Sequence, residues 1–496
     1  MLTKKNFEIF AQPCSQVRAD LLVALNFQDV DLYRIDHDAI KQTVHKAKEG
    51  MQSKKFKRDF FTALGDGAPA KFLLVKSAEQ IKMFDRDESA RITAASISNY
   101  AENYGCGRVA ILLNGLDGAN FVQPVVQGLI WGSYKFNKYF KEKKNVDFQV
   151  DLIINPTEKD AIESALYHAL VSAESVNLAR DMVNEPSETM TPEAMAQAAK
   201  EIAKEFGLKC KIFDEKQLQK HNYNCLLAVG RGGANPPRMI TLDYHPKKSK
   251  TDMHLGFVGK GITFDTGGVC LKPGSNMWAM KSDMGGAAAV LYAMKIIGEL
   301  APSHRVTGII AAAENSVDAT AQHPGNILKA KNGKSIHVDN TDAEGRLVLV
   351  DGLAHAGEEG VTHLIDIATL TGACVVALGG QIAGVMGDDD MTQAIIRAGS
   401  EVGEKYWRLP LPLEYRKMLD IPIADINNMG GREGSSLLAG LFLKEFVPEN
   451  VKWAHIDIAG PSFTSKKWKY FSAKSGTGFG VRTLVEIVRR PELITG

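Results

Sequence analysis

The chain lacks several features that would have decided its class at once. No apolar run reaches the roughly 18 residues that a membrane helix needs. The opening stretch "MLTKKNFEIFAQPCSQVRAD" has no apolar core of the kind a secretory signal carries. Neither sign of charge dominates: 59 basic and 58 acidic residues leave a net charge of +1, which gives no bulk attraction to nucleic acid or to an anionic membrane. The six cysteines (Cys14, Cys106, Cys210, Cys225, Cys270 and Cys374) are scattered and never in C-x-x-C spacing, which points to reduced thiols and a cytoplasmic setting. There is no H-x-x-H for a histidine zinc site and no G-x-S-x-G nucleophile elbow. "GFVGKGIT" misses the phosphate-loop spacing, and "GRGGANPP" misses the G-x-G-x-x-G order. A single "DTG" at Asp265 does not make the two-carboxylate pair of an aspartic protease.

What the chain does have is an ordinary globular composition, 45% apolar and 24% charged, over 496 residues. At about 100–200 residues per domain, that length suggests two to four domains. Strand-like and helix-like segments alternate through residues 1–156, which predicts an α/β domain. "DLLVALNF", "KFLLVKSA", "RVAILLNG" and "FQVDLIINP" read as strands. The stretches from Ala78 to Gly105 and from Phe121 to Glu142 read as helices between them. A helical segment over residues 157–185 reads as a linker. Residues 186–496 repeat the alternation on a larger scale, which predicts a second α/β domain around a mostly parallel sheet. Ligands of such sheets bind beyond the carboxyl ends of the strands.

The chemistry concentrates in two glycine-rich junctions of this second domain. One, "GFVGKGITFDTGGVCLKPGSNMWAMKSDMGGAAAVL", carries Lys260, Asp265, Lys272, Lys281 and Asp283. The other, "NTDAEGRLVLV", sets Asp342, Glu344 and Arg346 at alternate positions before an apolar run. Asp265, Asp283, Asp342 and Glu344 brought together would repel one another and take up protons. Two divalent cations would cancel four negative charges, and carboxylates can bridge ions ~3.5–4 Å apart. Oxygen-rich sites suit Mn²⁺, Mg²⁺ or Zn²⁺. A plainer reading serves the same residues: Asp283 and Asp342 as helix N-caps, Asp265 closing an Asx-turn, and Glu344 with Arg346 as a surface pair. Spacing alone leaves both readings open.

"NTDAEGRL" at Asn340–Leu347 resembles the signature of the leucine aminopeptidase (cytosol aminopeptidase) family. "GKGITFDTGG", "LKPG", "MKSDMGGAAAVL", "NLARDMVNEPSETMTPE", "DIATLTGAC" and "SGTGFGVRTL" also resemble segments of that family, and together the motifs span about residues 177–485. The resemblance implies a metal-dependent exopeptidase that removes N-terminal residues, often leucine, from peptides. It implies one metal held by Lys260, Asp265, Asp283 and Glu344, and a second held by Asp265, Asp342 and Glu344. Lys272 and Arg346 would be the catalytic pair, with a bicarbonate near Arg346. It further implies Mn²⁺ or Zn²⁺, with Mg²⁺ an option at one site, and a homohexamer. The chain departs from the family where it reads "ENSVDATAQHPGN" from Glu314, a segment that supplies none of the matched ligands. "FTSKKWKYFSAKSGTG" is also unusually basic and aromatic. Two rivals stand beside the peptidase: a two-metal phosphoesterase on the same carboxylates, and a nucleic-acid scaffold using the basic runs near Lys46 and Lys135. Such runs are usually solvated faces, which weighs against nucleic acid as a partner.

Overall fold

The computed structural model describes residues 1–26, 37–53, 59–64, 70–77, 85–113, 118–143, 146–247 and 252–495. The first residues of the helix expected from Ala78, and parts of the basic runs near Lys46 and Lys135, lie outside them. The chain divides into two compact units. One is Met1–Glu174 with Lys467–Phe471; the other is Ser175–Lys466 with Ser472–Gly496. The helix Lys159–Asn184 spans the boundary between them.

The first unit is built on a six-stranded sheet. Its order is Phe7–Phe10, Gln149–Ile153, Arg108–Leu112, Ala19–Asn26, Ala70–Ser77, Asp59–Ala63. Every neighbouring pair is parallel except the last, which is antiparallel. The helices Arg86–Asn103 and Gly118–Gly132 pack unusually close. A Cβ on Gly128 would lie 2.3 Å from the carbonyl oxygen of Arg91, and one on Gly132 would lie 2.3 Å from that of Ala95. The second helix stops at Gly132, ten residues short of the end expected from sequence. Just past its end the Ser133 hydroxyl donates to the Ile130 carbonyl at 2.9 Å, satisfying one carbonyl of the last turn, and accepts from the Leu2 amide at 3.0 Å.

The second unit holds an eight-stranded sheet ordered Lys405–Arg408, Ile382–Gly387, Lys452–Asp457, His363–Ala368, His254–Asp265, Arg305–Asn315, Arg238–Tyr244, Lys209–Phe213. The four central strands, Lys452–Asp457 to Arg305–Asn315, run parallel. Antiparallel joins appear only toward the edges. Three outer strands, Lys209–Phe213, Ile382–Gly387 and Lys405–Arg408, are not expected from sequence: the first and last are short and half polar, and the middle one, though apolar, is short and holds two glycines. The central strand His254–Asp265 runs six residues past the expected "HLGFVG". Its glycines hide it from pattern reading but are there for close packing. A Cβ on Gly259 would come within 2.8 Å of the Ala287 Cα in the helix Gly285–Leu300.

Near its end this strand slips register against its neighbour. Ile262 pairs with Ala313 but Phe264 pairs with Glu314, so Thr263 is an extra residue. A bulge of this kind shifts the alternation of faces by one. It turns Asp265, five residues on, to the same face as Lys260, which a regular strand would not do.

The glycine contacts of the first unit are testable. Gly128→Val should destabilise it by ~1–3 kcal/mol, the usual cost of overpacking, read as a lower urea midpoint. A midpoint equal to the parent's would mean the helices do not pack this closely.

Candidate active site

All four central strands deliver a polar group at their carboxyl ends. Asp265 closes one strand, Asn315 the next and Asp457 a third, while Thr369 follows the fourth. Around them the helix Glu344–Glu358 begins with Glu344, and Asp283 sits between the short turn Met277–Ser282 and the helix Gly285–Leu300. This is where a parallel sheet places its ligands.

The seven residues singled out in the sequence as ligands or catalytic groups fall into this one region. The Lys260 ammonium lies 2.7 Å from Asp283 Oδ2 and 2.9 Å from Glu344 Oε1, and it donates to the Thr369 carbonyl at 2.9 Å. The Lys272 ammonium lies 2.7 Å from Asp265 Oδ2 and 2.5 Å from Asp342 Oδ1. Asp265, Asp342 and Glu344 each offer an oxygen, all within 4.8 Å of one another, close enough to share a cation. Gly345 makes room for Lys260: a Cβ there would stand 2.6 Å from its Cε and 2.7 Å from its Nζ.

The plainer readings fare unevenly. Neither Asp283 nor Asp342 is a helix N-cap; the N-cap positions are Met284 and Ala343, without side-chain cap bonds. The Asx-turn does form, since the Gly267 amide donates to Asp265 Oδ1 at 2.8 Å. Glu344 and Arg346 are not a surface pair, because both are buried, at 2% and 4% exposure.

The electrostatics of the cluster are those of crowded carboxylates. Burial first, then repulsion from Asp265 and Asp283, pushes Glu344 up to about 8 against the pull of the lysines. Burial and the Asp265 charge push Asp283 up to about 6 despite Lys260. Burial also raises Asp342. For Lys260, burial opposes the ammonium, but Asp283, Glu344 and Asp265 outweigh it and hold it above the ordinary lysine value. Four carboxylates face two ammonium groups, so negative charge is in surplus where burial makes it most costly. A donor set of carboxylate oxygens with one amine fits a divalent cation of the Mn²⁺, Zn²⁺ or Mg²⁺ kind.

Arg346 stands apart from the lysines. It is fully enclosed, and burial lowers its guanidinium to about 10 although Glu344 and Asp457 support the charge. Its Nη1 donates to the Asn428 carbonyl at 2.6 Å, its guanidinium carbon lies 5.9 Å from the Phe442 ring centre, and its Nε has no hydrogen-bond partner. Among the described residues, no carboxylate is ion-paired to it within 4.0 Å.

Three residues here are not among those singled out in the sequence. Thr369 donates to Asp283 Oδ1 at 2.7 Å. Asp457 accepts from the Thr371 hydroxyl at 2.6 Å and the Leu370 amide at 3.1 Å, which shapes the loop carrying Thr369. Asn315 donates to Asp265. The only signal in the sequence is position, a polar residue at the end of an apolar strand. The flanking motifs also meet: Asn184, in "NLARDMVNEP", pairs with the Gly476 amide at 2.8 Å and the Ser475 hydroxyl at 3.1 Å, in "SGTGFG".

Comparison with known proteins gives this geometry its class. Residues 177–485 match the model of the cytosol aminopeptidase family, catalytic domain. The protein named probable cytosol aminopeptidase of Aquifex aeolicus (strain VF5) is 44% identical over 371 residues, 74% of each chain. Its namesake in Sulfurihydrogenibium sp. (strain YO3AOP1) is 40% identical over 488 residues, 94% of each chain. Among solved structures, a mutant of tomato leucine aminopeptidase aligns over 98% of this chain and 97% of its own, with a TM-score of 0.85 and 32% identity. The bottromycin maturation enzyme BotP in complex with Mn aligns over 95% of this chain and 99% of its own, at a TM-score of 0.82 and 31% identity. The protein is therefore a metal-dependent aminopeptidase. It belongs to the cytosol aminopeptidase family. Neither the phosphoesterase nor the nucleic-acid scaffold reading is favoured by these likenesses.

The Gly345 contact carries a test. Gly345→Ala should push Lys260 off its carboxylates, lowering kcat/KM by roughly tenfold or more, the scale of losing a group that orients the metal centre. Circular dichroism and melting should stay near the parent's. Unchanged kcat/KM would show that Lys260 tolerates displacement.

Proposed function

We propose that the chain removes N-terminal residues, leucine prominent among them, from peptides with a free amine, using two divalent ions per subunit. One ion would be held by Lys260, Asp265, Asp283 and Glu344, the other by Asp265, Asp342 and Glu344. The observation that supports this reading is the meeting of Asp265, Asp342 and Glu344 oxygens within 4.8 Å of one another, with Asp283 joined to Glu344 through Lys260, beyond the central strands. Mn²⁺ or Zn²⁺, with Mg²⁺ an option at one site, suits the donor set. Bound there, the ions supply Lewis acidity, lower the pKa of water and offer a seat for the free α-amine.

The chain's own groups divide the rest of the work. Asp265 and Asp342 hold the Lys272 ammonium at the edge of the cluster, partly open to solvent. A fixed cation there would polarise the scissile carbonyl and stabilise the oxyanion of the tetrahedral intermediate. Arg346 is a poor base because it keeps its proton. Buried, with Nε unsatisfied, it would hold a small oxyanion such as bicarbonate, which supplies a proton acceptor. Lys260 must be neutral to ligate, a state that a neighbouring dication favours. Assembly as a homohexamer and residence in the cytoplasm belong to the same reading, supported by the family resemblance and the relatives' name.

The roles of the two lysines separate experimentally. Lys260→Ala should weaken metal binding, and excess Mn²⁺ should restore part of the activity. Lys272→Ala should keep its metal and lose roughly 10²–10³ in kcat, the loss seen on removing one oxyanion donor elsewhere. Loss of metal from Lys272→Ala, or wild-type affinity in Lys260→Ala, contradicts the assignment. An N-acetylated peptide should resist cleavage; hydrolysis at the rate of the free peptide would remove the case for an amine seat.

A further inference from the structure

The segment "ENSVDATAQHPGN" lacks the family's Met, Ser-Gly and Arg and supplies no matched ligand, yet Asn315 in its opening Glu-Asn pair reaches into the carboxylate cluster. Asn315 ends the strand Arg305–Asn315 and is 1% exposed. Its Nδ2 lies 2.8 Å from Asp265 Oδ1, 3.1 Å from the Thr341 carbonyl oxygen and 3.4 Å from Glu344 Oε2. All three partners are acceptors, so the amide nitrogen, not its oxygen, must face them. Two hydrogens serve three acceptors, and the longest contact shares one. The main chain is held as well: the Asn315 carbonyl accepts from the Thr266 amide at 2.9 Å and the Thr266 hydroxyl at 2.8 Å. On the far side Gly268 leaves space for the amide oxygen, since a Cβ there would approach Asn315 Oδ1 to 2.8 Å.

The chemistry of this position is narrow. Asp265 and Glu344 repel one another, and a donor between them relieves that repulsion. A lysine or arginine there would bring a charge that opposes a dication, and a carboxylate would add another negative group. A neutral amide donor steadies both carboxylates and leaves their charge available. It also selects an oxygen. Asp265 Oδ1 is engaged twice, by Asn315 Nδ2 and by the Gly267 amide, each at 2.8 Å. That fixes the carboxylate plane and leaves Oδ2 facing Lys272.

We infer that Asn315 is a positioning residue of the metal centre, aiming Asp265 and Glu344 at the ions and so setting metal affinity. The inference rests on the two-metal reading above. Groups that orient metal ligands typically cost roughly 10–100-fold in metal affinity or activity when removed.

The test uses the full-length enzyme. Mn²⁺ dissociation constants by chelator competition, and the visible absorption of the Co²⁺-substituted protein, would be measured for wild type, Asn315→Ala and Asn315→Leu. Leucine is close to asparagine in shape and lacks the donor. Both variants should bind Mn²⁺ roughly 10–100-fold more weakly and show a shifted Co²⁺ spectrum, with the melting temperature of the metal-free protein close to wild type. Wild-type Mn²⁺ affinity with an unaltered Co²⁺ spectrum overturns the inference. So does an affinity loss that only follows a falling folded fraction in both variants. A parallel Asp265→Ala variant separates the two claims: if it keeps full metal content, the metal site itself is misplaced, whatever Asn315 does.

Discussion

The site of the second unit turns on one electrostatic constraint: four carboxylates, three of them buried, crowd together with two ammonium groups that do not neutralise them. Unpaired buried charge is among the most costly features a fold can carry. The upward push on Glu344 and Asp283 is its local expression. A fold keeps such a cluster only when the surrounding structure prevents its escape, and here the surroundings are rigid. The central parallel strands are buried, the helix Glu344–Glu358 is enclosed along most of its length, and its "LVLV" run lies fully within the core.

The backbone supplies the convergence. A regular strand would place Lys260 and Asp265 on opposite faces; the extra residue at Thr263 brings them together. Left-handed glycines then fold the chain back at once. Gly267, at φ 89°, sits where a Cβ would meet the Cys270 carbonyl at 2.5 Å and Asp342 Oδ1 at 2.9 Å. The loop it begins returns Lys272 to within reach of Asp265 and Asp342. Lys260, Asp265 and Lys272 thus reach one place from a single short stretch of chain. Asp283, Asp342 and Glu344 come from later segments.

Much of this is legible in the amino-acid sequence. The α/β class and the central strands follow from alternating apolar and helical segments. The glycine-rich junctions single out the charged segments, but their spacing leaves a plain structural reading open, and it is the resemblance to the family that picks the seven site residues. What escapes reading has a common cause: it depends on contacts distant in sequence. Asn315 is one polar residue at the end of an apolar strand, and only the pairing of that strand with His254–Asp265 gives it a role. Thr369 and Asp457 become meaningful through each other's loops. The strand over "GKGITFD" is hidden because its glycines, which allow close contact with a helix at Gly259 and with the neighbouring strand at Gly261, erase the alternation that marks a strand. The expected N-caps at Asp283 and Asp342 do not form; each carboxylate pairs instead with an ammonium group, Asp283 with Lys260 and Asp342 with Lys272.

The central claim is that this cluster of four carboxylates holds two divalent ions. The direct measurement is metal analysis of the purified enzyme together with a titration of chelated protein by Mn²⁺, following peptidase activity at each step. The expected result is no activity after chelation, full return at two equivalents per chain, and two bound ions in the fully active enzyme. Full activity with one ion or none bound per chain would contradict it.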